Sequence, residues 1–249
     1  MSLREVADFI IELIDVKKDY KETSGAIHTA LRNITLRIRR GEFVIIVGPS
    51  GAGKTTLLNI MAGMDLPTEG QVIFDKRNFS DLSEEERTEI RRQKIGFIFQ
   101  FFNLINSMTV LENVMAPLLP DENLSEKEIK ERALEALSVV GLIEKSERMP
   151  NELSGGEQQR VAIARAIVIQ PEVIFADEPI AQLDEENARK VITILTEYNR
   201  RKKATIILAT ASRELAENLK PYATKIIYID RGKIVQYLER VGGGWRTVK

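Results

Sequence analysis

The chain has 249 residues, of which 43% are apolar and 29% charged, the composition of an ordinary globular protein with one or two domains. Its net charge of −1 gives no sign of a nucleic-acid-binding surface at the level of the whole chain. Because there is no cysteine and His28 is the only histidine, disulfides and zinc–thiolate sites are excluded, and a Ser-His triad or a histidine metal site is not expected.

The same composition bears on membranes and targeting. No apolar run reaches the roughly 18 residues that a membrane span needs, and the first residues, which include Arg4, Glu5, Asp8 and Glu12, do not follow a signal-peptide pattern. We therefore expect a soluble chain in a reducing compartment.

The first part of the chain predicts a β-rich entry. Apolar residues recur in a strand-like way from Phe9 to Lys18, and a polar, turn-rich stretch covers residues 19–29. From Leu31 to Arg39 apolar and polar residues alternate, as in a half-buried strand. Gly41 then turns the chain into the strand that leads to the next motif.

A phosphate loop follows this strand. Gly48 and Gly53 are separated by four residues and followed by Lys54 and Thr55, with an apolar strand before the loop and a helix-forming run after it. Backbone N–H groups and the helix start can bind phosphate there, with Lys54 on the β/γ-phosphates and the Thr55 hydroxyl on Mg²⁺. A plain glycine-rich turn is the alternative, and the flanking strand and helix argue against it. The predicted nucleotide-binding residues of the loop are Gly48, Pro49, Ser50, Gly51, Ala52, Gly53, Lys54, Thr55 and Thr56.

The middle of the chain predicts a strand, a helix and a strand, followed by helices alone. A turn at residues 65–70 precedes a short strand at 71–75, a helix begins at Ser83, and a central strand runs from Ile95 to Phe99 and ends at Gln100. Three helices are then predicted, at 109–119, 125–140 and 154–169. We interpret residues 107–168, approximately, as a helical subdomain inserted into one domain that covers residues 1–240.

Two carboxylates leave the next buried strand together. Val173–Ala176 is an apolar strand, and Asp177 and Glu178 follow it directly. Such a pair suits a Mg²⁺-nucleotide site, in which Asp177 holds the ion and Glu178 orients an attacking water. An acidic strand end with a solvated turn is the simpler alternative, and this segment alone does not decide between them.

The last part of the chain returns to alternating helices and strands. The predicted elements are a helix at 185–201, a strand at 205–209, a helix at 213–219, and strands at 225–229 and 233–238. The glycine-rich residues 241–249 are predicted to form a flexible tail.

A second helix start could bind an anion. Ser154, Gly155 and Gly156 open the predicted helix that ends near residue 169, and they offer backbone N–H groups and the positive end of the helix dipole. Ser154 and Glu157 also fit a capping box, so an ordinary capped helix is the simpler interpretation of this segment by itself.

Together these segments resemble the nucleotide-binding subunits of ATP-binding cassette (ABC) transporters over residues 9–238, and five motifs occur in the family order. They are Gly48–Thr55 for the Walker A motif, Gln100 for the Q-loop glutamine, Leu153–Gln158 for the signature motif, Val173–Asp177 for the Walker B strand and Glu178 for the catalytic glutamate. The stretch from Arg91 through Gln100 to Leu104 further resembles lipoprotein-releasing and macrolide-export ATPases. The resemblance implies an α/β fold: a P-loop NTPase core of the RecA-like type, with an N-terminal antiparallel β subdomain and an inserted α-helical subdomain.

The resemblance also implies a cofactor, roles and partners. ATP with Mg²⁺ would bind at the interface of two head-to-tail chains, either identical or different, and a separate membrane subunit would hold the dimer at the cytoplasmic face of the membrane. The implied catalytic residues are Glu178, Gln100 and Lys54, and the implied Mg²⁺ ligands are Thr55, Gln100 and Asp177. Beyond the phosphate loop, the implied nucleotide-binding residues are Tyr20, Ser154, Gly155, Gly156 and Asp184.

Two of these expectations have structural alternatives. Tyr20 is expected to stack on adenine, although it could be a plain surface tyrosine. The apolar residues that follow Gln100 are expected to be divided between a groove for a membrane-subunit helix and the core of the helical subdomain. These residues are Phe101, Phe102, Leu104 and Ile105.

The chain departs from the family pattern in two places. Where the family has Thr-His-Asp after the strand at 205–209, this chain has Thr210, Ala211 and Ser212, and it lacks the histidine that contacts the γ-phosphate. Residues 180–182 also differ from the family pattern. A single engineered His→Ala change would not account for Ser212 or for residues 180–182, so natural divergence is favoured. We expect normal ATP binding with slow hydrolysis.

The leading hypothesis is the ATPase subunit of a membrane transporter. A scaffold or regulatory subunit, whose output is ATP-driven dimerisation with little turnover, is the main alternative. A soluble ABC ATPase acting on DNA or ribosomes is disfavoured, because the sequence has one cassette and no basic patch. The cargo is not encoded here, since substrate contacts in this family lie in the membrane subunit.

Overall fold

A computed structural model describes residues 8–21, 23 and 25–248. The charged start of the sequence, with Arg4 and Glu5, lies outside the described residues. The chain divides into two compact units, one formed by residues up to 88 and from 209 onward, the other by residues 89–208. The two units are described separately, and the single domain over residues 1–240 stays a prediction.

The elements follow one another in the α/β order that the sequence predicts. The strands are β1 (Phe9–Lys21), β2 (Ile27–Arg39), β3 (Phe43–Val47), β4 (Glu69–Phe74), β5 (Arg77–Asn78), β6 (Ile95–Ile98), β7 (Val173–Asp177), β8 (Thr205–Thr210), β9 (Lys225–Asp230), β10 (Lys233–Val241) and β11 (Gly244–Thr247). The helices are α1 (Lys54–Met61), α2 (Glu84–Lys94), α3 (Val110–Met115), α4 (Glu126–Val139), α5 (Gly155–Ile167), α6 (Glu185–Lys202) and α7 (Arg213–Leu219).

The first unit contains an antiparallel sheet in the order β2-β1-β4-β5. β1 and β2 form a long hairpin in which Tyr20 pairs with His28, so the strands extend into the stretch that was predicted to be turn-rich. Asn33 has φ +50°, and the register shifts along this hairpin. This register shift is a β-bulge, and it explains why the buried positions Leu31 and Ile34 are three residues apart rather than two.

The first unit also contains strands of a second sheet, in the order β11-β10-β9-β3. All five residues of β3 are buried, and β3 pairs in parallel with β9, from Val44 opposite Lys225 to Val47 opposite Tyr228. A continuous apolar run is what a strand buried on both faces requires.

The end of the chain corrects the prediction of a flexible tail at 241–249. Gly242 and Gly243 both have positive φ, and they turn β10 into β11, which pairs antiparallel from Val241 opposite Gly244 to Leu238 opposite Thr247. A two-residue Gly-Gly turn with positive φ at both positions matches the twist of a hairpin.

The second unit combines a parallel sheet with helices. Its strand order is β8-β7-β6, and β6 pairs in parallel with β7, from Ile95 opposite Val173 to Ile98 opposite Ala176. β6 is the last strand in this order, so the prediction of a central strand there is wrong. Helices α3, α4 and α5 pack on one another, and they occupy the stretch that was predicted to be helical. Among the helices of the described residues, none is both long and apolar enough to cross a membrane.

Candidate functional site

The phosphate loop depends on glycine at both of its motif positions. A Cβ atom on Gly48 would lie 2.3 Å from the carbonyl oxygen of Ile229, and one on Gly53 would lie 2.7 Å from the carbonyl oxygen of Ala30. Gly53 also has φ +100° and precedes α1 as its N-cap, with no side chain to cap the helix. The first N–H groups of α1 are therefore left to backbone partners or an anion.

Lys54 curls back over this loop. Its side chain is buried, and Nζ donates hydrogen bonds to the carbonyl oxygens of Gly48, at 2.9 Å, and Pro49, at 3.2 Å. Thr55, the next residue, is exposed. The ammonium group is thus held over the loop at the position from which a lysine neutralises bound phosphate.

The loop is joined to the segment that contains Ala211. The N–H of Gly48 donates to the carbonyl oxygen of Thr210 at 3.2 Å. Ser212 is the N-cap of α7, and its side chain accepts the N–H of Leu215 at 3.0 Å. Serine is among the preferred N-cap residues, so Ser212 gives α7 an ordinary capped start. Ala211 is exposed between these two anchored residues, and its side chain has no polar atom.

Tyr20 is held at the end of β1 by its hydroxyl group. Oη donates to Oδ2 of Asp65 at 2.9 Å, and Nζ of Lys18 lies 4.9 Å from the ring centroid while donating to the other oxygen of Asp65. The side chain is 38% exposed. An anchored ring with an accessible surface is compatible with stacking on a base, and Asp65 is a partner that the sequence pattern did not indicate.

In the second unit, Gln100 and Glu178 both follow the carboxyl ends of neighbouring parallel strands. Each lies two residues beyond the paired positions Ile98 and Ala176, at the carboxyl ends of two parallel strands. Asp177 is buried at 5% exposure, and Glu178 has φ +47°, a left-handed backbone that is uncommon outside glycine. The sharp turn directly after the strand brings both carboxylates to its end, as the sequence predicts.

The signature segment forms the capped helix start that was predicted. The Ser154 side chain accepts the N–H of Glu157, and the Glu157 carboxylate accepts the N–H of Ser154 at 3.1 Å, which completes a capping box. Ser154 and Gly155 are exposed at this end of α5. The capping box uses the backbone N–H groups of Ser154 and Glu157, so it does not occupy those of the two glycines.

Gly156 and Asp184 meet through Asn187 in the first turn of α6. A Cβ atom on Gly156 would lie 2.2 Å from Cγ of Asn187, so a larger residue does not fit there. The Asn187 amide donates to Oδ2 of Asp184 at 2.6 Å, and its carbonyl oxygen accepts from the Arg160 guanidinium at 2.9 Å. Asp184 is the N-cap of α6, so this network joins the start of α6 to the signature helix.

Two residues that the sequence pattern did not single out hold the segment after Gln100. The Arg165 guanidinium donates to the carbonyl oxygens of Phe102 and Asn103, at 2.9 and 2.6 Å. Burial lowers the pKa of Arg165. The Asn113 amide is fully buried, and it bonds both the N–H and the carbonyl oxygen of Ile105. A polar residue inside an apolar helical run is the signal that could have identified either of them.

The apolar residues after Gln100 are not part of the core. Phe101 is 63% and Ile105 41% exposed, whereas Phe102 and Leu104 are half-buried. The expectation that some of the four lie in the core is therefore wrong, and Phe101 and Ile105 remain available at the surface.

The predicted site residues are divided between the two units. The first unit holds Tyr20, the phosphate loop from Gly48 to Thr56, and Ala211. The second unit holds Gln100, Ser154, Gly155, Gly156, Asp177, Glu178 and Asp184.

Comparison with known proteins gives one consistent family. The family model described as ABC transporter matches residues 31–181. An uncharacterized ABC transporter ATP-binding protein of Methanocaldococcus jannaschii is 47% identical over 211 residues, which cover 85% of this chain and 92% of that protein. The lipoprotein-releasing system ATP-binding protein LolD 1 of Chlorobium chlorochromatii is 41% identical, with 90% of each chain covered.

Solved structures agree with these sequence matches. The ATP-binding cassette MJ0796 in a dimeric post-hydrolysis state, bound to ADP and Pi, has a TM-score of 0.85 and 42% identity, over 93% of this chain and 99% of that one. The protein cbiO1 of Clostridium perfringens, described as part of the ABC transporter complex cbiONQ, has a TM-score of 0.80 and 29% identity, over 92% of this chain and 88% of that one.

Proposed function

This chain belongs to the ABC transporter family as an ATP-binding and ATP-hydrolysing subunit, and we propose that two copies bind two ATP molecules head to tail between them. In each site the phosphate loop, Gln100, Asp177 and Glu178 come from one copy. Ser154, Gly155 and Gly156 come from the other copy.

The exposed start of α5 carries this proposal. One chain has two helix starts of the kind that can bind an anion, the phosphate loop at α1 and the glycine pair at α5, and the second has Ser154 and Gly155 at the surface. The dimeric state of MJ0796, with ADP and Pi, supports a paired arrangement for a chain of the same fold. A partner of a different sequence with a second competent site would use the same surfaces.

The donors proposed for Mg²⁺ fit a hard cation. Thr55, Gln100 and Asp177 offer a hydroxyl, an amide oxygen and a carboxylate, and oxygen ligands of this kind suit Mg²⁺. The buried carboxylate of Asp177 stands at the carboxyl end of β7, where a cation would offset the cost of keeping it ionised. When bound, Mg²⁺ supplies charge neutralisation of the phosphates.

A membrane subunit is the proposed partner, and Phe101 and Ile105 are its proposed contact. Both are exposed apolar residues next to Gln100, and the segment that bears them is fixed by Arg165 and Asn113. The membership of cbiO1 in an ABC transporter complex supports such an assembly. Through this partner the chain would lie at the cytoplasmic face of the membrane, and a change at Gln100 would pass to the membrane subunit.

Ala211 is proposed to slow hydrolysis without weakening ATP binding. Lys54 and the loop glycines are in place for the phosphates, whereas the alanine methyl group cannot donate to the γ-phosphate. A scaffold role with little turnover is the alternative that this substitution favours.

Dimerisation on ATP is the direct test. Glu178→Gln keeps the shape of the side chain but removes the carboxylate proposed to polarise water, so ATP should persist and dimers should accumulate. We expect sedimentation to show dimers of Glu178→Gln with ATP and monomers without it. Lys54→Ala in the same background is the control, because it removes the phosphate-binding ammonium and should stay monomeric. A Glu178→Gln chain that stays monomeric at saturating ATP would contradict the proposal.

A further inference from the structure

Lys145 and Glu157 form an ion pair beside the start of α5. Nζ of Lys145 lies 2.5 Å from Oε1 of Glu157, and the side chains are 42% and 19% exposed. The other carboxylate oxygen of Glu157 accepts the N–H of Ser154 at 3.1 Å. Lys145 ends a 3₁₀ turn at 143–145, twelve residues before its partner. The two contacts fix the carboxylate on the first turn of the signature helix.

A carboxylate at this place opposes the binding of phosphate. Glu157 directly follows Gly155 and Gly156, whose N–H groups are the proposed anion-binding donors, and negative charges a few ångströms apart repel one another. The hydrogen bond from Lys145 is the main cause that holds the pKa of Glu157 below its usual value, so the group is ionised at neutral pH. Arg160 also faces Glu157, but its guanidinium donates to Asn187.

We propose that Lys145 is a positioning residue for ATP in the dimer, because it cancels the charge of Glu157 inside the signature motif. With the pair intact, the start of α5 presents its N–H groups and dipole to the terminal phosphate held by the partner chain. Without Lys145, the same helix start presents the negative charge of Glu157 with no positive charge paired to it. This inference rests on the proposed head-to-tail dimer.

The test compares four chains: wild type, Lys145→Met, Glu157→Gln and the double variant. In low salt, Lys145→Met should raise the half-saturating ATP concentration for turnover about fivefold, the effect of one unit charge a few ångströms away in water. Turnover at saturating ATP should change little. The shift should shrink as salt is added, because both charges are partly exposed. Glu157→Gln should bind ATP at least as well as wild type, since the amide oxygen can still cap Ser154.

The double variant decides between two roles for Lys145. If Lys145 acts by neutralising Glu157, the double variant, which like wild type has no net charge at this pair, should bind ATP like wild type, a full rescue. A double variant as weak as Lys145→Met would mean that Lys145 contacts the nucleotide or the fold directly, and would overturn the inference. A Lys145→Met chain with wild-type ATP dependence would overturn it as well.

Two controls separate this inference from the proposed dimer. Lys127→Met removes an exposed lysine that is paired on α4 with Glu131, at 3.8 Å, and should leave the ATP dependence unchanged. Thermal unfolding of all variants should agree with wild type within a few degrees, because the residues are at the surface. A wild-type chain that never dimerises, with Glu178→Gln monomeric too, would instead mean that the dimer proposal has failed.

Discussion

At the scale of single residues, Ala211 is the position proposed to limit hydrolysis. Its neighbours keep their structural roles: Thr210 accepts the N–H of Gly48, and Ser212 caps α7. A histidine at 211 would therefore enter a backbone that is already anchored on both sides, next to the phosphate loop.

Ala211→His should raise turnover at saturating ATP, because it restores a donor to the γ-phosphate. The loss of one positioned donor costs on the order of 10²-fold or more in rate, which sets the scale of the expected gain. A steady-state phosphate-release assay measures it. Ala211→Phe adds bulk without a donor, and it should leave the rate at or below that of wild type. If wild type and Ala211→His hydrolyse ATP at the same rate, and that rate is typical of the family, the proposal that Ala211 limits hydrolysis is contradicted.

The residues proposed to bind phosphate could be singled out from the sequence, whereas the long-range contacts that hold the site could not. Gly48, Gly53 and Lys54 are marked by type and spacing alone, since few other residues meet the demands of a phosphate loop. Arg165 contacts carbonyl oxygens more than sixty residues away in the chain, and Asp65 binds Tyr20 across 45 residues. Such pairs arise only when the fold brings separate segments together, so local spacing carries no record of them.

At the scale of elements, the start of α6 is fitted to the start of α5. Asn187 links them by accepting from Arg160 and donating to Asp184, and its side chain fills the space above Gly156. The glycine is thus required by packing, in addition to any contact with phosphate.

Gly156→Ala should destabilise the fold, because the new Cβ would lie 2.2 Å from Cγ and 2.4 Å from Oδ1 of Asn187. Adding Asn187→Ala removes both of these atoms, so the double variant should be more stable than Gly156→Ala alone. Gly155→Ala is the matched control: its Cβ meets only Phe102, at 3.6 Å, and alanine favours a helix by about 0.5–1 kcal/mol over glycine. Denaturant unfolding measures all four chains. The Cβ of Asn187, 2.7 Å away, remains in the double variant, so a double variant no more stable than Gly156→Ala would show that the outer atoms of Asn187 are not the obstacle.

Element types could be predicted more fully than strand pairing. Hydrophobic periodicity indicated helix α7 from Arg213 to Leu219 with its observed bounds, because the periodic pattern and a serine cap are both local. The place of β6 at the end of its strand order depends on pairing with β7, 75 or more residues away, and an apolar run looks the same at the centre or the edge of a sheet. The β10–β11 hairpin did have a local signal, the Gly242-Gly243 pair.

At the scale of the whole molecule, the proposed assembly follows from the presence of two different features in one chain, a phosphate loop and an exposed helix start. A chain that both holds ATP at a phosphate loop and offers Ser154 and Gly155 at an exposed helix start is self-complementary in a two-fold dimer. Each site then takes its two halves from different copies. The sequence predicts both halves, and a paired structure would give each of the two proposed anion sites a role.

Mixing two inactive variants should restore activity. Lys54→Ala removes the ammonium of the phosphate loop, and Gly155→Glu adds a carboxylate at the helix start, where a Cβ would meet only Phe102, at 3.6 Å. Each variant alone spoils both sites of its dimer. In an equal mixture, random pairing rebuilds one intact site in half of the dimers, so turnover per chain should reach about a quarter of the wild-type value. The control is the Lys54→Ala, Gly155→Glu double variant mixed with either single variant, because neither mixture can rebuild an intact site and both should stay inactive. Activity in the mixture no greater than the sum of the separate variants would contradict sites shared between chains.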